Sequence, residues 1–245
     1  PNPTVTWSKG PKATFPLGVT AVKVTATDKS GNSDSDEVVV SVYGARSIKS
    51  MTIAKLEQAK TGDKIIDRVI DEIIKRVNNS LAEELWNTDD SHLHSKHGGM
   101  VFHKVFREEE AAVILMQTHI AIFEKEIPVL EKVIAKNKEK GKDTTREQAK
   151  LAAIKTALPV FREVVDDLVR ADRILAMGAI GDAKNKEVQN PKFQKIVNQE
   201  IKRAEQEMER GQQELEKGRP AKAILNFEQS WLHAQLAIQF ANKTA

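Results

Sequence analysis

The sequence predicts an α+β protein, in which a small N-terminal antiparallel β module precedes a bundle of helices. Up to about residue 42, apolar residues alternate with polar ones at the period of two that is typical of strands. After Tyr43-Gly44 the apolar period changes to about 3.6 residues, as in amphipathic helices, and it persists to the C-terminus. We therefore divide the chain into a β module over residues 1–44, a linker or connecting helix over 45–61, and a helical bundle over 62–245.

The β module is predicted to contain a hairpin. Residues 19–26 alternate between two faces, with the valines of 22 and 24 on one of them, and residues 38–42 form a second alternating set. The segment 28–32 between them consists of residue types that tolerate positive φ or bond their own backbone, so it favours a tight connection. Two β-branched strands joined by a turn are the expected result.

Three pieces of this segment match a known pattern: the approach Phe15-Pro16-Leu17-Gly18, the strand over 22–28 that ends in Thr-Ala-Thr-Asp, and the Gly31-Asn32 turn before the last strand. In these pieces the chain resembles the C-terminal half of a hyalin-repeat (HYR) domain, an immunoglobulin-like module of secreted and surface proteins. The resemblance implies a partial immunoglobulin-like sandwich and an extracellular or cell-surface location. A complete sandwich of this type needs roughly seven strands and about 100 residues.

Two explanations for the missing strands stay open. The chain is a fragment of a longer protein, or another subunit supplies the strands, because an open sheet edge is a template for strand addition. The sequence therefore predicts protein partners, or self-assembly, through the edge of the β module.

Charge and composition exclude several other classes of protein. The chain has 38 basic and 35 acidic residues, interspersed along its length, so no basic stripe predicts nucleic-acid binding. No run of 18 apolar residues predicts a transmembrane segment. The absence of cysteine excludes disulfides, thiolate catalysis and cysteine-ligated zinc.

The first three helices of the bundle are predicted from apolar spacing. One covers about residues 62–86, and a second begins near Gly98-Gly99 and reaches about 138, with a kink or restart at Pro128. A third begins at 143–147 with a capping pattern, carries Pro159 and ends near 176. Residues 178–191 are then expected to form a long connection.

The last two helices are predicted to form a hairpin over 192–217 and 220–242, where Gly218 ends the first helix and Pro220 opens the second. The second arm looks like one arm of a tetratricopeptide-type (TPR-like) repeat, but no 34-residue recurrence precedes it. We interpret the pair as the closing hairpin of the bundle. The residues expected to face inward are Ala223, Phe227, Trp231, Ala234 and Ile238.

Four of the six histidines fall within residues 87–103, next to two aspartates. Imidazole suits zinc, copper, nickel and iron, and carboxylates can complete such a site. The candidate ligands for a transition metal are His92, His94, His97 and His103, with Asp89 and Asp90. Their spacing matches no HExxH motif and no i, i+4 pair. The competing interpretation is that one aspartate caps a turn and the histidines are partly exposed.

The same segment has a second resemblance. Leu85-Trp86, followed by Asp-Asp, His-Leu, Lys-His-Gly and Val-Phe, looks like the opening of helical modules appended to secreted multidomain proteins of bacteria and archaea. That resemblance implies no activity. In physical terms, the apolar residues Trp86, Leu93, Val101 and Phe102 are expected to anchor a long connection onto the bundle.

Carboxylates elsewhere give weaker candidates. The candidate ligands for calcium at the turn are oxygens of Asp28, Asn32, Asp34 and Asp36, although a terminal bidentate glutamate is missing. The run 108–110 is interpreted as acidic residues near a helix start, and Asp166 with Arg170 as an i, i+4 surface pair. The chain contains no Glu-x-x-His pair, so a ferritin-like di-iron site lacks its usual ligands.

No phosphate loop, nucleophile elbow or Ser-x-x-Lys pair occurs in the sequence. The sequence therefore predicts a non-catalytic structural or interaction module of a secreted or cell-surface protein, acting in assembly or adhesion. The alternative is a metal-binding surface protein that uses the histidine cluster. A third hypothesis, an unrecognised hydrolase, is supported by no motif.

Overall fold

The structure, a computed structural model, describes residues 3–10, 12–94 and 101–244. It is an α+β protein, with a small three-stranded antiparallel sheet followed by helices. The chain divides into two compact units, Pro1–Gly44 and Ala45–Ala245. The segment 45–61, predicted as a linker or connecting helix, is largely a helix and belongs to the second unit.

The first unit is a sheet of three strands, β1 (Thr4–Trp7), β2 (Gly18–Thr27) and β3 (Ser33–Val42), in the order β1-β2-β3. Both pairings are antiparallel. Strands β2 and β3 form the hairpin that the alternating pattern predicts, and β1 adds a short third strand beside the C-terminal half of β2.

The hairpin turn is organised by Asp28. Its Oδ1 accepts hydrogen bonds from the backbone N–H groups of Ser30 and Asn32, both at 2.8 Å, and its Oδ2 accepts one from Asn32 Nδ2 at 2.9 Å. The side-chain hydrogen bond from Asn32 is the main cause that lowers the pKa of Asp28. Gly31 has φ +87°, a conformation that other residues rarely adopt. The turn chemistry therefore fixes the register of β2 and β3.

The second unit is helical. Its α-helices are α1 (Ala45–Gln58), α2 (Lys64–Ser80), α3 (Val101–Glu139), α4 (Thr145–Asn185), α5 (Gln194–Glu216) and α6 (Pro220–Ala241). Short 3₁₀ turns occupy Glu83–Leu85 and Pro191–Phe193. Helix α4 is central, because it packs against α1, α3, α5 and α6, while α2 packs mainly against α3. One continuous apolar core fills the space between these helices.

Three helix boundaries differ from the sequence prediction. Helix α2 ends at Ser80 rather than near Trp86, because the Trp86 indole donates to the Ser80 carbonyl at 2.8 Å and the chain turns there. Helix α3 continues through Pro128 as one helix, with no restart. Helix α4 extends to Asn185, so the predicted long connection over 178–191 is wrong for most of its length.

The extension of α4 has a tertiary cause. Gly178 and Gly181 lower the helix propensity of this segment, which is why it was expected to be a connection. Ala179, Ile180 and Ala183 are nevertheless buried in the core. Packing of this apolar stripe outweighs the propensity of two glycines, which amounts to about 1 kcal/mol each.

The C-terminal hairpin has the predicted ends, with α5 stopping at Glu216 and α6 starting at Pro220. Of the five residues expected to face inward, four are buried and Ile238 is partly buried. The two helices approach closely at Gly211 of α5. A Cβ atom at this position would lie 2.7 Å from Phe227 Cδ1, so only glycine fits without a shift of the ring.

Replacing Gly211 with alanine is therefore expected to lower the free energy of unfolding by about 1–3 kcal/mol, the usual cost of overpacking a core. Gly178→Ala is the matched control, since a Cβ on Gly178 of α4 meets nothing within 4 Å. There the substitution should be neutral or stabilise by about 0.5–1 kcal/mol. Chemical denaturation of the two variants provides the comparison, and equal effects would contradict the close approach of α5 and α6.

Candidate functional site

One face of the N-terminal sheet is mainly apolar, with Asp34 and Asp36 of β3 on the same face at one end. The register places Val22 opposite Val38 and Trp7 opposite Val24, so these side chains share a face. We refer to this surface as the valine face, and it consists of Val5, Trp7, Val22, Val24, Val38, Val40 and Val42. The central Val22 is buried, but Trp7 is 49% exposed and Val38 is 46% exposed. A large part of this apolar surface is thus open to solvent.

The opposite face of the sheet is more polar. Here Lys23 lies opposite Glu37, and Thr25 lies opposite Ser35. Val39 also belongs to this face and is 60% exposed. An antiparallel sheet commonly buries one face and solvates the other, and the residue types identify the valine face as the one suited to burial.

The sheet also has open edges. Strand β1 pairs only with residues 24–27 of β2, so residues 18–22 of β2 have no strand on that side within the part of the chain that is described. The outer edge of β3 likewise has no strand partner among the described residues. The first half of β3 carries Asp34, Asp36 and Glu37, charges that discourage edge pairing, whereas the second half is apolar.

The start of the histidine-containing segment forms a small antiparallel bridge at residues 86–93. Trp86 and Leu93 are paired, and Asn87 N–H donates to the His92 carbonyl at 2.9 Å. Both apolar side chains are buried, at 2% and 3% exposure, as the anchoring interpretation predicts. The side chains of Val101 and Phe102 lie outside the described part of the structure.

His92 lies between two carboxylates. Its Nδ1 is 2.8 Å from Asp89 Oδ2, and its Nε2 is 3.1 Å from Asp182 Oδ2 of α4. Asp89 also accepts hydrogen bonds from the backbone N–H groups of Ser91 and His92. Burial acts to raise the pKa of Asp89, but these hydrogen bonds outweigh it and lower the pKa. Asp89 thus caps the turn, as the competing interpretation expects.

The other predicted ligands have different surroundings. His103 Nδ1 is hydrogen-bonded to Glu228, a fully buried carboxylate of α6 that is also 3.4 Å from Arg107 Nε. The His94 side chain is partly exposed, and the backbone N–H of His94 donates to the Leu85 carbonyl. The Asp90 carbonyl accepts from Arg46 N–H at 3.0 Å, and His97 lies outside the described residues.

The described residues therefore do not bring the predicted metal ligands to one point. Within residues 3–10, 12–94 and 101–244, no group of three or more histidines and carboxylates is arranged to hold a metal ion. At the turn, both Asp28 oxygens accept hydrogen bonds, and Asp34 and Asp36 each accept one from the next backbone N–H. Transition-metal and calcium binding both stay predictions.

A charged cluster that the sequence analysis missed lies inside the helical unit. Lys49 Nζ of α1 is 2.7 Å from Glu109 Oε1 of α3 and 3.0 Å from Asp172 Oδ1 of α4. All three side chains are completely buried. The Trp86 ring centroid lies 5.0 Å from the same nitrogen. We refer to Lys49, Glu109 and Asp172 as the buried triad.

Glu109 was interpreted as one of the acidic residues near a helix start, but it lies eight residues into α3 and is completely buried. The interpretation of Asp166 with Arg170 as a pair is wrong. Arg170 pairs instead with Asp167, at 2.8 Å. A signal for the buried triad was present in the sequence: Glu109 lies at helical spacing within an apolar stripe. The buried members of that stripe are Val105, Phe106, Ala112, Val113 and Met116.

The buried triad holds one cation and two carboxyl groups, so it is neutral only when one carboxyl keeps a proton. Burial, together with the neighbouring Glu109 charge, raises the pKa of Asp172 well above its usual value. Asp172 Oδ2 and both oxygens of Glu109 make no hydrogen bond with the described groups, although Glu109 Oε1 lies 2.7 Å from Lys49 Nζ. Burial acts to lower the pKa of Lys49, but the charges of Asp172 and Glu109 raise it overall.

Among the described helices, none combines the length and the apolar character needed to cross a bilayer.

Comparison of the chain with protein-family models, with curated proteins and with solved structures found no match.

Proposed function

We propose that this protein is a non-catalytic assembly module of a secreted or cell-surface protein. In this proposal the N-terminal sheet is one half of an immunoglobulin-like sandwich, and the valine face is where the second half binds. The observation that carries the proposal is the exposure of Trp7 and Val38 on an apolar sheet face. Sheets of three strands need a covering layer for independent stability.

The occupant of the valine face is, in this proposal, the valine face of a second copy of the chain. Apolar surfaces of this kind are self-complementary, and twofold symmetry is the commonest arrangement of identical subunits. The face also has a polarity along its strands, because Asp34 and Asp36 lie at the end away from Gly18 and Val42. A twofold axis with antiparallel strands places the acidic end of one copy over the apolar end of the other, which avoids repulsion between like charges.

The helical unit is proposed to act as a rigid support. The TPR-like hairpin of α5 and α6 serves as the closing pair of the bundle rather than as a binding array. The observation that supports this role is that Ala223, Phe227, Trp231 and Ala234 of α6 are all buried and so are not available to a partner. The extracellular or surface location rests on the HYR resemblance of residues 15–42, and immunodetection on intact cells tests it.

Two adjacent valines provide a matched test of the valine face. Val38→Asp places a charge on the valine face, and Val39→Asp places the same charge on the opposite face, at a similar exposure. Sedimentation equilibrium should show that Val38→Asp weakens self-association by at least about tenfold, since each 1.4 kcal/mol is a factor of ten in Kd and a buried unpaired charge costs more. Val39→Asp should associate like the unmodified chain. Equal association of both variants would contradict the assigned face.

A further inference from the structure

The buried triad requires an explanation beyond packing. Lys49 and Asp172 are 123 residues apart in sequence, and they meet with Glu109 at the centre of α1, α3 and α4. Complete burial of an ion pair carries a large desolvation free energy, and hydrophobic side chains of similar volume in its place often stabilise a protein at least as well. An arrangement of one amine and two carboxyl groups in contact, with water excluded, also has a chemical reactivity of its own.

We propose that Lys49 and Asp172 become joined by an amide (isopeptide) bond between Lys49 Nζ and Asp172 Cγ in the folded protein, and that Glu109 carries the protons for this reaction. The inference does not depend on the proposed assembly, because all three residues lie in the helical unit.

The contacts place the reacting groups together. Lys49 Nζ is 3.0 Å from Asp172 Oδ1, and the carbon that the amine must attack, Asp172 Cγ, is the atom bonded to this oxygen. Glu109 Oε1 is 2.7 Å from the same nitrogen, within hydrogen-bond reach of the proton that must be removed. Holding an amine and an acid in such contact replaces a bimolecular encounter by an intramolecular one, with effective concentrations that can reach about 10⁵ M or more.

The low polarity of the site lowers the cost of reaching the reactive protonation state. With one shared carboxyl proton, the triad starts as an ammonium group, one carboxylate and one carboxylic acid. Transfer of a proton from Lys49 Nζ to Glu109 leaves a neutral amine and two neutral acids. Separated charges are costly where all three side chains have no solvent exposure, so burial reduces the cost of this transfer.

The bond changes then balance without any other reactant. The lone pair of Lys49 Nζ attacks Asp172 Cγ, and a C–N bond forms in a tetrahedral intermediate. Glu109 donates its proton to the departing oxygen and then accepts one from the nitrogen, the C–O bond breaks, and one water molecule leaves. No group is oxidised or reduced. Glu109 ends as a neutral acid beside the new amide, so the pocket no longer holds a charge.

A second lysine cluster provides an internal comparison. Lys55 Nζ is 2.5 Å from both Glu163 Oε1 and Asp167 Oδ2 and so has the same composition of one amine and two carboxyl groups. Its side chain is 28% exposed, and that of Glu163 is 59% exposed. Water there stabilises the charged forms, so this cluster should remain ionic and unreacted. The difference between the two clusters is solvent access rather than residue type.

Mass spectrometry of the denatured, unmodified full chain tests the proposal directly. The expected mass is that of the sequence minus one water molecule, and digestion should yield one branched peptide that joins Lys49 to Asp172. Limited proteolysis in the exposed turn at 140–142 should leave two pieces that stay together on a denaturing gel. A full sequence mass, with separate Lys49 and Asp172 peptides, would overturn the proposal and leave a buried ion pair only.

Variants assign the roles. Glu109→Gln should retain the full mass, because the proton carrier is lost, and Asp172→Ala should retain it because the acceptor carbon is lost. Asp172→Asn should instead lose one ammonia, since the same amide bond forms with a different leaving group. Lys55→Arg should still lose one water. Loss of water in Asp172→Ala would contradict the assignment, and the unmodified chain decides the question even if a variant fails to fold.

Discussion

Replacing Lys49 with alanine is expected to lower the free energy of unfolding by at least about 3–5 kcal/mol, the usual cost of removing one partner from a buried charge cluster. The reason is that Glu109 and Asp172 would remain completely buried without the cation that each of them contacts. The variant also lacks the proposed amide link between distant parts of the chain, which increases the loss further. Chemical denaturation at neutral pH measures the difference.

Lys55→Ala is the control for this measurement. Lys55 contacts two carboxylates in the same way, but its cluster is partly open to water. Exposed ion pairs contribute about 0–1 kcal/mol, so the control should lose no more than that. Similar losses for the two lysines would show that burial of Lys49 is not what gives this residue its effect.

Replacing Trp86 with alanine should also destabilise the helical unit strongly, by about 3–5 kcal/mol, as is usual for a large aromatic residue deleted from a core. Trp86 is 2% exposed, and its Nε1 donates to the Ser80 carbonyl at 2.8 Å. The substitution therefore leaves a cavity beside Lys49 and an unpaired carbonyl at the end of α2. Thermal and denaturant unfolding, followed by far-ultraviolet circular dichroism, measures this loss.

Trp7→Ala serves as the comparison for Trp86→Ala. Trp7 is half exposed on the valine face and belongs to the N-terminal unit. Its removal should leave the unfolding of the helices almost unchanged, while it should weaken self-association. A Trp86 variant that unfolds like the unmodified chain would contradict the anchoring role of the bridge between Trp86 and Leu93.

The secondary structure of the β hairpin and of the C-terminal helical hairpin could be predicted because local signals agree there. Alternation, the Asp28 turn and the pair of Gly218 and Pro220 each act within a few residues of the chain. The boundary of α4 could not be predicted in the same way, because burial of Ala179 and Ala183 against distant helices outweighs the local glycines. Tertiary packing is not visible in a local pattern.

The buried triad was missed for a related reason. Each of its members looks like an ordinary charged residue when it is considered on its own helix. The informative signal is shared by three helices: Lys49, Glu109 and Asp172 each lie at helical spacing from buried apolar neighbours, for example Ala45 and Leu56 on α1. One such position is often a long side chain that reaches solvent. Three of them, with opposite charges, indicate a buried cluster only once the helices are known to meet.

The histidine segment contains residues whose described side chains contact different carboxylates. His92 and His103 are close along the chain, but the bridge at Trp86 and Leu93 directs one towards Asp182, whereas the other pairs with Glu228. The described residues place His92 against Asp89 and Asp182 and His103 against Glu228, and metal binding by this segment stays a prediction.

The most direct test of the proposed assembly is the mass of the unmodified chain in solution, measured by light scattering coupled to size exclusion over a wide concentration range. The proposal predicts a dimer that dissociates on dilution, because the valine face of each copy is covered by the other. A monomer at every concentration would contradict it, and would mean that the exposed face of Trp7 and Val38 is not a contact between copies of this chain.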